Sequence, residues 1–181
     1  MKQKHRMASL LAAALLLALC AGCGADQTAA PADPPKGETV TTADYTLSLP
    51  AGFTAQEKED GTVTLLLDGK EVGGVTTLSF ANAEELLTMD VTSESSQGMT
   101  EKLVQMIAPE EDMASMLSLQ KDSILLSLAP DRPEGAEEEV LHQLFPQGDR
   151  LYDLFFQRSQ VTEEQQQGLA DGFALNEKPA A

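Results

Sequence analysis

VTLLLDGKEVGGVTTLSF, residues 63–80, decides the fold. Two apolar runs, Val63–Leu67 and residues 72–80, flank Asp68-Gly69, and a glycine takes at little cost the positive φ that a tight hairpin turn requires. A β-hairpin is predicted. Gly73-Gly74 inside the second arm points to a bulge or to the close approach of another backbone. Just upstream, Tyr45, Leu47 and Leu49 alternate with polar residues, and Pro50-Ala51-Gly52 closes that run as a turn does.

Downstream of the hairpin the pattern changes to helix. Asn82 is expected to cap a short helix, with Glu84 and Glu85 near its positive end. Met99, Leu103, Met106 and Ile107 stand at i, i+4, i+7 and i+8, one apolar helical face that Pro109 ends. A further short helix is expected over residues 110–119. Strand patterning returns at 124–128, 140–145 and 151–156, the last two joined across Pro146-Gln147-Gly148-Asp149, with a proline-containing acidic loop over 130–139. Thr162 and Gln165 form a capping box for a final helix running to about Asp171. Gly172 is expected as its C-cap, with Phe173 and Leu175 docking back on the sheet. The fold class is therefore α+β, an antiparallel sheet of about six strands flanked by helices.

The whole chain has 181 residues, enough for one ordinary domain and too few for two. Its 12 basic and 29 acidic residues give a net charge of −17, which lacks the basic footprint that phosphate contacts demand, so nucleic-acid binding is excluded. At 42% apolar residues the chain is too hydrophobic to be a wholly disordered acidic polymer.

The N-terminus explains where the basic residues go. Lys2, Lys4 and Arg6 precede an apolar stretch from Met7 to Leu19, followed by small residues, the order of a secretory signal. Residues 8–24 are 17 in number, short of the roughly 20 that a retained membrane helix needs. Ala21-Gly22-Cys23 resembles the end of a bacterial lipobox, although Cys20 stands where leucine is usual. The resemblance implies a signal peptide over residues 1–22, lipidation (palmitate included) of Cys23, and a domain held by lipid at the outer face of a bacterial cell membrane. Residues 23–42, rich in Ala, Pro, Asp and Thr, read as the lipidated Cys23 and a flexible linker, and residues 43–178 as the single domain. Without Lys2, Lys4 and Arg6 the mature part has 9 basic against 29 acidic residues, a net charge of −20.

YTLSLPAGF, KEVGGVTTLSF and LYDLFFQRSQVTEEQQQGLADGFAL together resemble the PsbP-like fold, across most of residues 43–176. The shared motifs are structural: a strand entering a Pro-Gly turn, a Gly-Gly strand, and a strand followed by a Glu-rich helix. The resemblance implies a noncatalytic accessory or binding protein. The basic residues of its photosynthetic members have no evident match, so no photosystem role is carried over.

No catalytic constellation emerges from the residue types. His5 leaves with the signal, and His142, alternating with Val140 and Leu144 on one strand face, reads as a buried or edge residue rather than a general base. No G-x-S-x-G occurs, and no cysteine or histidine cluster suggests zinc, so neither metal nor cofactor is expected. The acidic groups at Glu57, Glu59 and Asp60, at Glu84 and Glu85, at Glu110, Glu111 and Asp112, and at 137–139 lack the calcium-loop pattern and read as a solvated face. Met89, Met99, Met106, Met113 and Met116 read as packing between helices and sheet, with a peptide-binding groove as the competing reading.

The function expected from these features is that of a membrane-anchored surface lipoprotein, a noncatalytic and monomeric module binding a protein or small-ligand partner. The alternative is a hydrolase using paired carboxylates, against which stands the shortage of aromatic stacking groups: no Trp and 2 Tyr.

Overall fold

LYDLFF, residues 151–156, has one charged residue in six, and a strand so apolar on both alternating sides has to be covered on both faces. The computed structural model, which describes residues 36–90, 94–109 and 112–177, places it at the centre of the larger of two sheets. Cys23 and the remainder of residues 1–35 lie outside the described residues, as do Glu110 and Glu111. The described residues belong to the unit Pro34–Ala181.

In chain order these residues form β1 (Lys36–Thr41), β2 (Tyr45–Pro50), β3 (Phe53–Glu57), β4 (Val63–Leu67), β5 (Lys70–Ser79), α1 (Glu94–Ile107), β6 (Met113–Leu119), β7 (Ile124–Pro130), β8 (Val140–Gln147), β9 (Arg150–Gln157), α2 (Glu163–Gly172) and β10 (Phe173–Leu175). A seven-stranded antiparallel sheet has the order β3-β4-β5-β9-β8-β7-β6, and a three-stranded one the order β1-β2-β10. Two meanders, β3 to β5 and β6 to β9, are thus joined by the pairing of β5 with β9, from Gly73↔Phe156 to Ser79↔Arg150.

The predicted hairpin is β4–β5. Asp68 and Gly69 both have positive φ, 53° and 81°, and Leu67 pairs with Lys70 across them. The register shifts by one residue so that Val72 bulges, and a Cβ on Gly73 would lie 2.0 Å from the Phe155 carbonyl oxygen. Bulge and close approach therefore coincide at the Gly-Gly pair.

Alternation along β9 separates two cores on opposite sides of the sheet. Tyr152, Leu154 and Phe156 face Tyr45, Leu47, Leu49, Phe53, Val63, Leu65, Leu169 and Phe173, so this side is closed by the smaller sheet and α2. Leu151 joins Leu144, Ile124, Leu126 and Leu128 on the other side, beneath Leu86 and Leu103 of the connection between β5 and β6. Each fully buried Leu contributes about 1.5–3 kcal/mol, so both layers are needed to hold the sheet. The helices cover different ends because they join different strands: α1 leads to the β6 edge, and α2 carries the chain back to β2. Gly168 and Gly172 let α2 press onto β2; a Cβ at Gly172 would lie 2.1 Å from the Ser48 carbonyl oxygen.

Several expectations are corrected. Residues 36–41, read as the end of the linker, form β1, because the edge of β2 supplies the hydrogen bonds that a sequence with Val40 as its one aliphatic residue does not advertise. Residues 53–57, with Phe53 and Ala55 as their apolar pair, form β3. Residues 113–119 are strand β6 and not a helix: MASMLSL fits both periods, and the edge of β7 decides between them. Ten strands in two sheets therefore replace about six in one. Asn82 does not cap with its side chain; it adopts φ 56° before a 3₁₀ helix, Ala83–Thr88. Gly172 ends α2 as its last helical residue, while the Thr162–Gln165 capping box forms as expected, with both reciprocal hydrogen bonds present.

Candidate functional site

Because α2 lies against β2, it leaves the β6–β7 end of its side of the large sheet open. A cleft of about 330 Å³ results. Leu125, Leu141 and Phe156 from three adjacent strands form its apolar floor, Met116 and Ser118 of β6 form one wall, and Glu163, Gln166, Gln167 and Ala170 of α2 form the other. Met116 is 68% exposed, a large apolar side chain left in solvent at the mouth.

The polar groups of the cleft are held in place by one another. The Gln143 side-chain amide donates to Gln120 Oε1 at 2.9 Å and to Ser123 Oγ at 2.5 Å, and Gln143 itself is buried. Glu139 accepts a hydrogen bond from the Ser127 hydroxyl and two from Arg158, each at 3.0 Å. Fixed donors and acceptors around an apolar floor suit binding, since little side-chain entropy remains to be lost. The Ser127 hydroxyl is engaged with a carboxylate and has no imidazole beside it, because His142 points to the opposite side of the sheet.

On that side, His142 Nδ1 lies 3.0 and 3.1 Å from the two oxygens of Asp153. Both side chains are buried, and the imidazole ring lies 6.0 Å from that of Phe155. His142 thus occupies a buried position on an interior strand, as its alternation with Val140 and Leu144 suggested. What the sequence did not reveal is its partner: Asp153 sits eleven residues away and meets His142 through the β8–β9 register, in which His142 pairs with Phe155 and Asp153 with Leu144. His142 borders a hollow of about 530 Å³ lined by Ile107, Met113, Leu128, Pro130, Val140 and Phe155 among others, with neither hydroxyl nor thiol among the described residues of its wall. A histidine and a carboxylate without a nucleophile do not make a triad.

The remaining candidates take structural places. Met89, Met99, Met106 and Met113 pack into the core under α1, so the methionine reading holds for them, and Met116 alone of the five stands open. Asp60 accepts from the Thr62 backbone N–H at 2.9 Å, and that bond is the main cause holding its carboxyl below the ordinary range. Glu84 accepts from the Gly148 N–H at 2.8 Å, while Glu138 pairs with Arg132 and Glu139 with Arg158. Glu101 and Asp112 border one shallow hollow, and both are exposed. Among the described residues no group of three or more His, Cys, Asp or Glu could hold a metal ion, and no helix is long and apolar enough to cross a membrane.

No family model matches the chain, and no curated protein matches it. Among solved structures it is similar to the solution structure of cyanobacterial PsbP (CyanoP) from Synechocystis sp. PCC 6803, at a TM-score of 0.45 and 12% identity, over 85% of this chain and 99% of that one.

Proposed function

We propose that the chain is a bacterial surface lipoprotein, anchored through Cys23, whose α+β domain is a noncatalytic binding module. The cleft between α2 and β6 carries this reading: it offers an apolar floor and preorganised amides, and of its carboxylates Glu139 is engaged by Ser127 and Arg158, which leaves Glu163 without the second free group that a carboxylate hydrolase needs. The lipid anchor and the PsbP-like assignment rest on the sequence motifs. With β1 starting at Lys36, 12 residues separate it from Cys23, and covalent geometry limits that stretch to at most about 40 Å. At −20 the mature chain is repelled by an anionic surface, so attachment falls to the acyl chains.

Two measurements test this. In cells, Cys23→Ala should move the protein out of the membrane fraction and abolish labelling by radioactive palmitate; unchanged fractionation would remove the anchor. In vitro, the mature chain should bind the apolar dye anilinonaphthalene sulfonate saturably, and Ala170→Trp, which fills the cleft, should abolish that binding. Equal binding by both proteins would place the dye elsewhere and remove the cleft.

A further inference from the structure

The two edges of the large sheet differ. β3 ends at Glu57 and lies against β1. β6, MASMLSL, has no charge, proline or bulge along its seven residues, and those are the devices that shield an edge from pairing. Among the described residues no strand pairs with its outer side.

Register identifies the groups on offer. The Asp131 N–H donates to the Asp112 carbonyl and the Gln120 N–H to the Ser123 carbonyl, each at 2.9 Å, one at either end of the β6–β7 ladder. The even-numbered residues of β6 are therefore the hydrogen-bonded partners of β7, and Met113, Ser115, Leu117 and Leu119 aim their backbone N–H and C=O groups outward. Side-chain space flanks this edge on both faces. Towards α1 lies a hollow of about 400 Å³ in which Val104 and Met113 supply apolar surface and Glu101 and Asp112 supply negative charge. Towards α2 lies Met116 and the cleft.

We propose that β6 accepts an extended segment of a partner protein as an eighth strand. Backbone pairing supplies the affinity; specificity comes from Lys or Arg side chains over Glu101 and Asp112 alternating with apolar side chains beside Met116. This deepens the reading of the cleft as a binding surface and rests on it for the apolar half of the recognition. A second copy of the chain fits less well, because its own β6, MASMLSL, brings no Lys or Arg to Glu101 and Asp112, and the two chains would each carry −20.

The test uses the mature chain, free of lipid, and the peptide acetyl-VKVTVKV-amide, with acetyl-VEVTVEV-amide as its charge-reversed control. Hydrogen exchange followed by NMR should show the amides of Met113, Ser115, Leu117 and Leu119 gaining protection on binding, while the even-numbered amides are protected throughout. The acidic peptide should bind about tenfold more weakly or less. Ser115→Pro removes an outward N–H without touching the β7 ladder, and Ser115→Lys places a repelling charge on the edge; both should keep the thermal midpoint and lose the peptide. Protection elsewhere, or unchanged affinity in both variants, overturns the proposal, and so does a concentration-dependent dimer of the free chain with the odd amides already protected. Dye binding separates the two readings: a wild-type chain that binds the dye but not the basic peptide sinks the edge alone, and a wild-type chain binding neither sinks the cleft as well.

Discussion

Tyr45 and Tyr152 meet edge to face between the two sheets, ring centroids 6.0 Å apart, and neither hydroxyl has a hydrogen-bond partner among the described residues. A buried, unpaired hydroxyl costs about 1–3 kcal/mol, so the rings are kept here by packing alone. Tyr45 also stacks on Phe173, which in turn stacks on Phe145, a run of aromatic contacts tying β2 and β10 to β8.

Tyr45→Phe should therefore leave the midpoint of urea unfolding unchanged or raise it slightly. The larger effect is at alkaline pH. Burial, and secondarily the charges of Glu57 and Asp44, push the Tyr45 phenol from its ordinary 10.0 up to about 12. The native state then keeps a proton that the unfolded chain releases, so the contribution is whole below pH 10 and is lost as pH rises from 10 to 12. The loss approaches about 2–3 kcal/mol by the upper end. Urea melts at several alkaline pH values should show Tyr45→Phe declining less steeply than the wild type; parallel decline would refute the assignment.

The His142–Asp153 pair predicts a non-additive result. Removing one partner strands the other in a buried place, so Asp153→Ala should cost about 3–5 kcal/mol, whereas replacing both with apolar residues of similar size removes the unmet demand along with the bond. His142→Phe with Asp153→Leu should therefore be more stable than Asp153→Ala alone. Denaturant unfolding of the two variants decides the matter, and a double variant as unstable as the single one would show that the pair has a role beyond mutual satisfaction.

Which parts of this molecule were legible in its sequence follows from where the information resides. The β4–β5 hairpin and the α2 capping box are local: Asp68-Gly69 and Thr162 with Gln165 carry their own geometry. The strands β1 and β3 are not, since residues 36–41 and 53–57 hold few apolar side chains and become strands because β2 and β4 present edges to them. β6 failed for a different reason: Met113, Met116 and Leu117 satisfy helical spacing, and only the partner strand β7 breaks the tie. Of the candidate site, Met116 stood among five similar methionines, and nothing local distinguishes the open one from the four that are packed. The polar set of Gln120, Ser123 and Gln143 is assembled between the β6–β7 turn and β8 and leaves no linear motif.

The α2 cap gives a more modest prediction. Thr162 Oγ1 accepts from the Gln165 N–H at 3.3 Å, and Gln165 Oε1 accepts from the Thr162 N–H at 2.9 Å. Thr162→Ala should cost about 1 kcal/mol, a loss read in urea midpoint, with Thr162→Ser retaining most of it. Since α2 forms one wall of the cleft, the Ala variant should also weaken dye binding, and unchanged stability would mean that packing against β2 alone holds the helix start.

Two glycines in helices should respond to the same substitution with opposite sign. Gly98 lies inside α1, exposed, and a Cβ there meets nothing within 4 Å. Gly98→Ala removes conformational freedom from the unfolded chain without a clash in the folded one, a gain of about 0.5–1 kcal/mol. Gly172, at the end of α2, faces the Ser48 carbonyl oxygen at 2.1 Å from an added Cβ, a backbone atom that cannot swing aside. Gly172→Ala must lift α2 from β2 and with it the β10–β2 pairing that begins one residue later, at Phe173↔Leu47. Thermal unfolding should show the midpoint rising for Gly98→Ala and falling for Gly172→Ala by several degrees, as a change of 1 kcal/mol corresponds to about 2–8 °C in domains of this size. If both rise, helix propensity alone governs these positions and the close seating of α2 on β2 is wrong; if Gly98→Ala falls, α1 has a contact at Gly98 that its open surroundings do not provide.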